Sequence, residues 1–123
     1  MQKIYTKSAP DAIGPYSQAI KTGNLLFTSG QIAIVPDSSQ VEASDIEGQT
    51  EQVCKNIRAI LEEAGSSFDK VIKTTCFLAD MNDFANFNTV YAKYFTSKPA
   101  RSCVAVKTLP KNVLVEIEII AEI

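Results

Sequence analysis

The chain has 123 residues, a formal net charge of −2 and no histidine, and 46% of it is hydrophobic, which fits a single domain spanning 1–123 with a moderate core. Its ten lysines are scattered, without the basic block that nucleic-acid binding asks for. Cys54, Cys76 and Cys103 form no CxxC and make a poor metal set without histidine, and no apolar run nears the roughly 20 residues of a membrane helix. Reduced thiols and an N-terminus without a secretory pattern lead us to expect a cytoplasmic protein that touches no membrane.

Residues 3–6 read as a short strand. Residues 17–21 and 25–29 flank Thr22-Gly23-Asn24, a hairpin signal. Gly30 precedes a further strand-like stretch, 31–35, and marks a bulge or a close backbone approach. Ile46, Thr50, Val53, Ile57, Ile60, Leu61 and Ala64 then fall on one face at helical spacing. Ser44 with Glu47 reads as a capping box, and Gly65 ends the helix. Glu51 with Lys55 and Arg58 with Glu62 are spaced as outer-face ion pairs, so Arg58 is expected in solvent.

Residues 71–78 read as a strand. A second helix is expected over about 82–95, capped by Asp80 or Asn82, with Phe84, Phe87, Tyr91 and Tyr94 or Phe95 as its apolar stripe. Residues 102–107 and 113–123 are closing strands. The order predicts an α+β fold, with two helices packed on one face of a mixed sheet of about six strands. In the last strand, Val113, Val115, Ile117, Ile119, Ala121 and Ile123 share the face toward the helices. Leu114, Glu116, Glu118, Ile120 and Glu122 share the other. A face mixing apolar and acidic groups suits burial against another subunit with a polar pocket in it.

Arg101 is one of two arginines, and it sits in strand-like sequence. A guanidinium there can fork onto a small carboxylate. Glu116, on a second strand, can handle a proton or orient a water. With no histidine, acid/base work falls to carboxylate, tyrosine, serine, cysteine or water. Read alone, Arg101 serves equally well as a structural ion-pair partner of Glu116 or Glu118 across an interface.

The segments Gly14-Pro15-Tyr16-Ser17-Gln18-Ala19, Phe27-Thr28-Ser29-Gly30-Gln31 and Ile60-Leu61-Glu62-Glu63-Ala64-Gly65 carry a resemblance. So do Asp80-Met81-Asn82-Asp83-Phe84, the stretch from Asn88 to Tyr91, Pro99-Ala100-Arg101-Ser102-Cys103-Val104, and Leu109-Pro110 through Val115-Glu116-Ile117. Over essentially its whole length the chain resembles the Rid/YjgF family, the reactive-intermediate (enamine/imine) deaminases, also labelled endoribonuclease L-PSP. The resemblance implies a chorismate-mutase-like fold and a homotrimer whose sheets form a central barrel, with a pocket at each interface. It implies hydrolysis of 2-imino acids or enamines, products of pyridoxal-phosphate enzymes, to 2-keto acids and ammonia, without metal or cofactor. Arg101 then matches the carboxylate binder, Glu116 the acidic residue and Tyr16 the aromatic hydroxyl. Ser29, Gly30, Asn88 and Cys103 fall at ligand-side positions. A short segment before Pro99, and Ala105 where some relatives carry an acid, are departures at the pocket rim. Two other readings stand beside this one: a non-enzymatic trimer sensing a keto or amino acid, and an RNA-directed activity, which the lack of histidine and of a basic stripe disfavours.

Overall fold

The computed structural model describes residues 1–123. Strands β1 (Gln2–Ile4), β2 (Ala19–Thr22) and β3 (Leu25–Thr28) form an antiparallel meander. A two-stranded ribbon follows, β4 (Ile34–Val35) with β5 (Gln40–Val41). Helix α1 (Ile46–Glu63), strand β6 (Val71–Leu78), helix α2 (Phe84–Tyr94), strand β7 (Ala100–Ala105) and strand β8 (Val115–Glu122) complete the chain. The main sheet runs β1-β2-β3-β8-β6-β7. Only β6 and β7 are parallel, and α2 supplies the crossover such a pair needs.

Both helices lie on one face of the sheet. Val53, Ile57, Ile60 and Leu61 of α1 and Phe87 of α2 meet Leu26, Cys76, Leu78, Val115 and Ile117 in one core. The period-two alternation of β8 holds along its length: Val115, Ile117, Ile119 and Ala121 are buried, while Glu118 and Glu122 are exposed. On the open face Phe27, Phe77, Val104 and Ile120 stay partly or largely uncovered.

Several local expectations are corrected. The α1 cap is Asp45, not the Ser44/Glu47 box. Asp45 is extended (φ −111°, ψ 166°) and its carboxylate accepts from the Gly48 N–H at 2.8 Å. The far end does stop at Gly65, whose φ of +78° continues a chain reversal. The Gly65 and Ser66 N–H groups bond the Glu62 and Leu61 carbonyls. Arg58 is exposed but lies over the rings of Phe68 (5.6 Å) and Tyr94 (5.1 Å). The single ion pair is Lys93–Glu51, at 3.8 Å between helices, rather than pairs along α1. A 3-10 turn, Met81–Asp83, precedes α2, and Asp80 caps it by accepting from the Asn82 N–H at 2.8 Å.

Residues 31–35 do not form a continuous strand. Gln31 bridges Ile117, and then Asn56, buried on α1, donates to the carbonyls of Ile32 (3.1 Å) and Ile34 (2.9 Å). A helix side chain thus takes bonds that a ladder would otherwise use. No helix is long and apolar enough to cross a membrane.

Candidate functional site

The open-face cavity is built by a bulge. Phe27 pairs with Ile120 and Gln31 with Ile117, so the three residues Thr28, Ser29 and Gly30 oppose two, Glu118 and Ile119. The extra residue bends the strand and aims side chains off the regular ladder. Thr28 Oγ1 accepts from the Ile119 N–H (3.0 Å), and Ser29 Oγ donates to the Ser17 carbonyl (2.6 Å). Gly30 lies flush against Glu116: a Cβ there would come within 2.8 Å of Glu116 Cδ. Both sequence expectations for Gly30, a bulge and a close approach, describe the same spot, although the approaching group is a carboxylate and not backbone.

The rim of this cavity is an irregular loop shaped by one buried amide. Gln18 accepts from the Thr6 N–H (2.8 Å) and donates to the carbonyls of Thr6 (3.0 Å) and Pro10 (2.8 Å). Tyr16 stands on that loop, half exposed, its hydroxyl accepting from the Ile13 N–H at 3.3 Å. The resulting cavity, about 740 Å³, is lined by Tyr16, Ser29, Gly30 and Glu116 among others. Its charged lining is Asp11, Glu116, Glu118 and Lys111. Burial, and then the neighbouring Glu118 charge, push the Glu116 carboxyl above the usual carboxylate range. A carboxyl raised this way holds a proton more readily and is a better general base when it loses it.

Arg101 lies elsewhere. It pairs in register with Thr74 on β6, and Thr74 is fully buried under α2. Glu116 pairs with Phe77, of opposite parity. Arg101 and Glu116 of one chain therefore project from opposite faces of the sheet, and within one chain Glu116 does not orient Arg101. Asn88 does: Arg101 Nη1 donates to Asn88 Oδ1 at 2.8 Å. The guanidinium also lies 4.7 Å from the Tyr91 ring centroid and 5.4 Å from that of Phe84. Phe84, Asn88 and Tyr91 are i, i+4 and i+7 on α2, one stripe of the helix meeting one strand residue. No carboxylate pairs with Arg101. Cys103, two residues along β7, is half-buried, and burial raises its thiol despite the opposing Arg101 charge. Cys54 and Cys76 are fully buried; burial pushes the Cys76 thiol up to about 12 and the Cys54 thiol higher still.

The residues singled out from the sequence thus fall into two groups. Tyr16, Ser29, Gly30 and Glu116 share the open-face cavity; Arg101 and Asn88 bond at the β7 edge, with Cys103 beside them on β7. Sequence reasoning missed Phe84 and Tyr91 as partners of Arg101. The signal was their helical spacing with Asn88, which was assigned wholly to the core. It also missed Gln18, whose motif was recognised without its bracing role.

The family model described as endoribonuclease L-PSP matches residues 6–123, nearly all of this architecture. The chain belongs to that family. A RutC family protein of Pyrococcus horikoshii is 60% identical over 119 residues, 96% of this chain and 94% of that protein. The crystal structure of RidA from an Antarctic Psychrobacter superposes with a TM-score of 0.95 at 43% identity, covering all of both chains. Escherichia coli TdcF, solved with bound serine, gives the same TM-score and identity, again over the full length of both. The expected Rid/YjgF membership and the α+β fold both hold.

Proposed function

We propose that the protein hydrolyses reactive 2-imino acids, or their enamine tautomers, to 2-keto acids and ammonia. The observation carrying this reading is an arginine held in place by an amide and two rings, with no carboxylate of its own chain. A guanidinium so prepared is a receptor for a ligand carboxylate. The serine bound to TdcF is a small molecule with such a group, and its three-carbon skeleton resembles that of a 2-imino acid.

Neither half of the site serves alone. The open-face cavity carries three acids against one lysine and repels an anion; the Arg101 end has no group suited to taking a proton. A second copy of the chain, in a homotrimer with pockets between subunits, unites them and covers the apolar open face. Arg101 then clamps the carboxylate and fixes the C=N carbon near Glu116. Water adds to that carbon while Glu116 takes one of its protons and passes it to the imine nitrogen, giving the carbinolamine. Glu116 then takes the hydroxyl proton and returns it to the amine as the C–N bond breaks, so ammonia leaves and the keto acid remains. Tyr16 and Ser29 hydroxyls supply hydrogen bonds, with Cys103 and Gly30 along the wall.

A coupled assay tests this, with a pyridoxal-phosphate enzyme generating 2-iminobutyrate in situ. Keto-acid release accelerates with wild type and not with Arg101→Ala. Binding of 2-ketobutyrate without any turnover by wild type would favour the ligand-sensing reading instead.

A further inference from the structure

Arg101 is the second arginine of the chain, and its immediate neighbour on α2 is a tyrosine whose hydroxyl is not in solvent. Tyr91 is 8% exposed, and its hydroxyl shares a 2.8 Å hydrogen bond with Thr74 Oγ1, fully buried on β6. Thr74 is the register partner of Arg101 on the adjacent strand. The Tyr91 ring also stacks on Phe95 at 4.3 Å, 22° from parallel, and lies tilted against Phe87 at 5.4 Å. The ring is therefore fixed by a hydrogen bond at its tip and by two aromatic neighbours. The guanidinium lies over that fixed ring while Asn88 holds one of its nitrogens.

We infer that Tyr91, anchored by Thr74, is a positioning residue that sets the plane of the Arg101 guanidinium for carboxylate binding. The inference rests on the carboxylate-binding reading above. The physical argument is geometric. An arginine side chain carries several rotatable bonds, and a single hydrogen bond to Asn88 fixes one nitrogen while leaving rotation about it free. A ring below the guanidinium restricts that rotation, because cation–π attraction favours approach over the ring face. The remaining N–H donors are then held ready to fork onto a carboxylate, and less ordering is left for the ligand to impose. The Thr74 bond matters because a tyrosine ring that tilts carries the guanidinium with it. The tip bond is also buried, so losing it leaves a polar group without a partner.

The test is calorimetric binding of 2-ketobutyrate to wild type, Arg101→Ala, Tyr91→Leu, Tyr91→Phe, Thr74→Val and the double variant Arg101→Ala/Tyr91→Leu, with Tm recorded for each. Tyr91→Leu is expected to weaken binding by about 10-fold, within the range a partly desolvated cation–π contact supplies. Tyr91→Phe keeps the ring and loses the tip bond; it restores most of the affinity, leaving a deficit of about 3-fold, and Thr74→Val matches it. In the Arg101→Ala background Tyr91→Leu has no further effect, the signature of a residue acting through the arginine. In the imine assay the loss falls on KM more than on kcat.

A merely structural role predicts lower Tm with unchanged affinity of the folded fraction, and that result overturns the inference. So does a Tyr91→Leu effect of equal size with and without Arg101. If Tyr91→Leu fails to fold, Tyr91→Phe and Thr74→Val decide, since wild-type affinity in both removes the anchor. Wild-type binding that does not depend on Arg101 defeats the carboxylate reading itself, a separate result from loss of Tyr91 dependence alone.

Discussion

The two ends of the candidate site are built on opposite principles. Arg101 is gripped: an amide oxygen, two rings and a register neighbour surround it. Glu116 is merely accommodated: it lies in a gap left by Gly30, half-buried, near another acid and without an ion pair. A binder benefits from being ordered before the ligand arrives. A proton acceptor benefits from being poorly stabilised as an anion, which raises its pKa toward the working range. The contrast suggests that substitutions at the two ends fail differently.

The largest effect is expected at the gripped end. Arg101→Ala removes the charge that a buried ligand carboxylate would face, and kcat/KM for 2-iminobutyrate should fall about 1,000-fold. Isothermal titration at high ligand concentration should find keto-acid binding weakened about 100-fold. Glu116→Gln should cut kcat by about 300-fold while leaving 2-ketobutyrate affinity close to that of wild type. A comparable loss of affinity would erase the distinction between the two ends.

Glu116 also carries a stability prediction. Its folded-state pKa is raised, so in the window above the ordinary carboxylate pKa the folded protein binds more protons than the unfolded chain. Stability contributed by the protonated group is therefore present at low pH and lost as pH rises through the folded-state pKa. Thermal melts across pH 4–8 should show Glu116→Gln overtaking wild type as pH increases, with the advantage gone in acid.

Gly30→Ala sharpens the comparison without removing a charged group. The new methyl meets the end of a flexible side chain, at a backbone position where φ is not positive, so the carboxylate moves and the sheet does not. A displacement of about 1 Å is enough to lower kcat roughly 100-fold, with Tm nearly unchanged and keto-acid binding retained. The smallest effect concerns neither end. Asp45→Ala should cost about 1 kcal/mol of stability through loss of the α1 cap, read by urea titration, with catalysis per folded molecule unaffected.

Much of the fold was legible because burial follows period. The β8 alternation and the α1 stripe were read residue by residue, and both faces came out as expected. The helix cap was missed by one residue because Ser44 and Asp45 are both good caps and only backbone geometry selects between them. The 31–35 segment was misread because Ile32 to Val35 is a continuous apolar run, while the carbonyls of Ile32 and Ile34 bond the side chain of Asn56, 22 to 24 positions away. Within the site, the residue types of Arg101 and Glu116 were informative but their relative placement was not. Strand parity could have placed them on opposite faces only once the pairing of β6 with both β7 and β8 was known.

Gln18 gives the loop before β2 an unusual economy. One amide answers backbone groups of Thr6 and Pro10, and the stretch between Pro10 and Ser17 contributes little to the sheet. Asp11, Ile13 and Tyr16, all carried by that stretch, face the cavity and are largely exposed. Besides Gln18, the loop is held by Ser29 on the Ser17 carbonyl and by Tyr5 on Asp11, so an exposed side chain such as Ile13 can change the chemistry of the cavity mouth while the framework that holds Glu116 stays as it is.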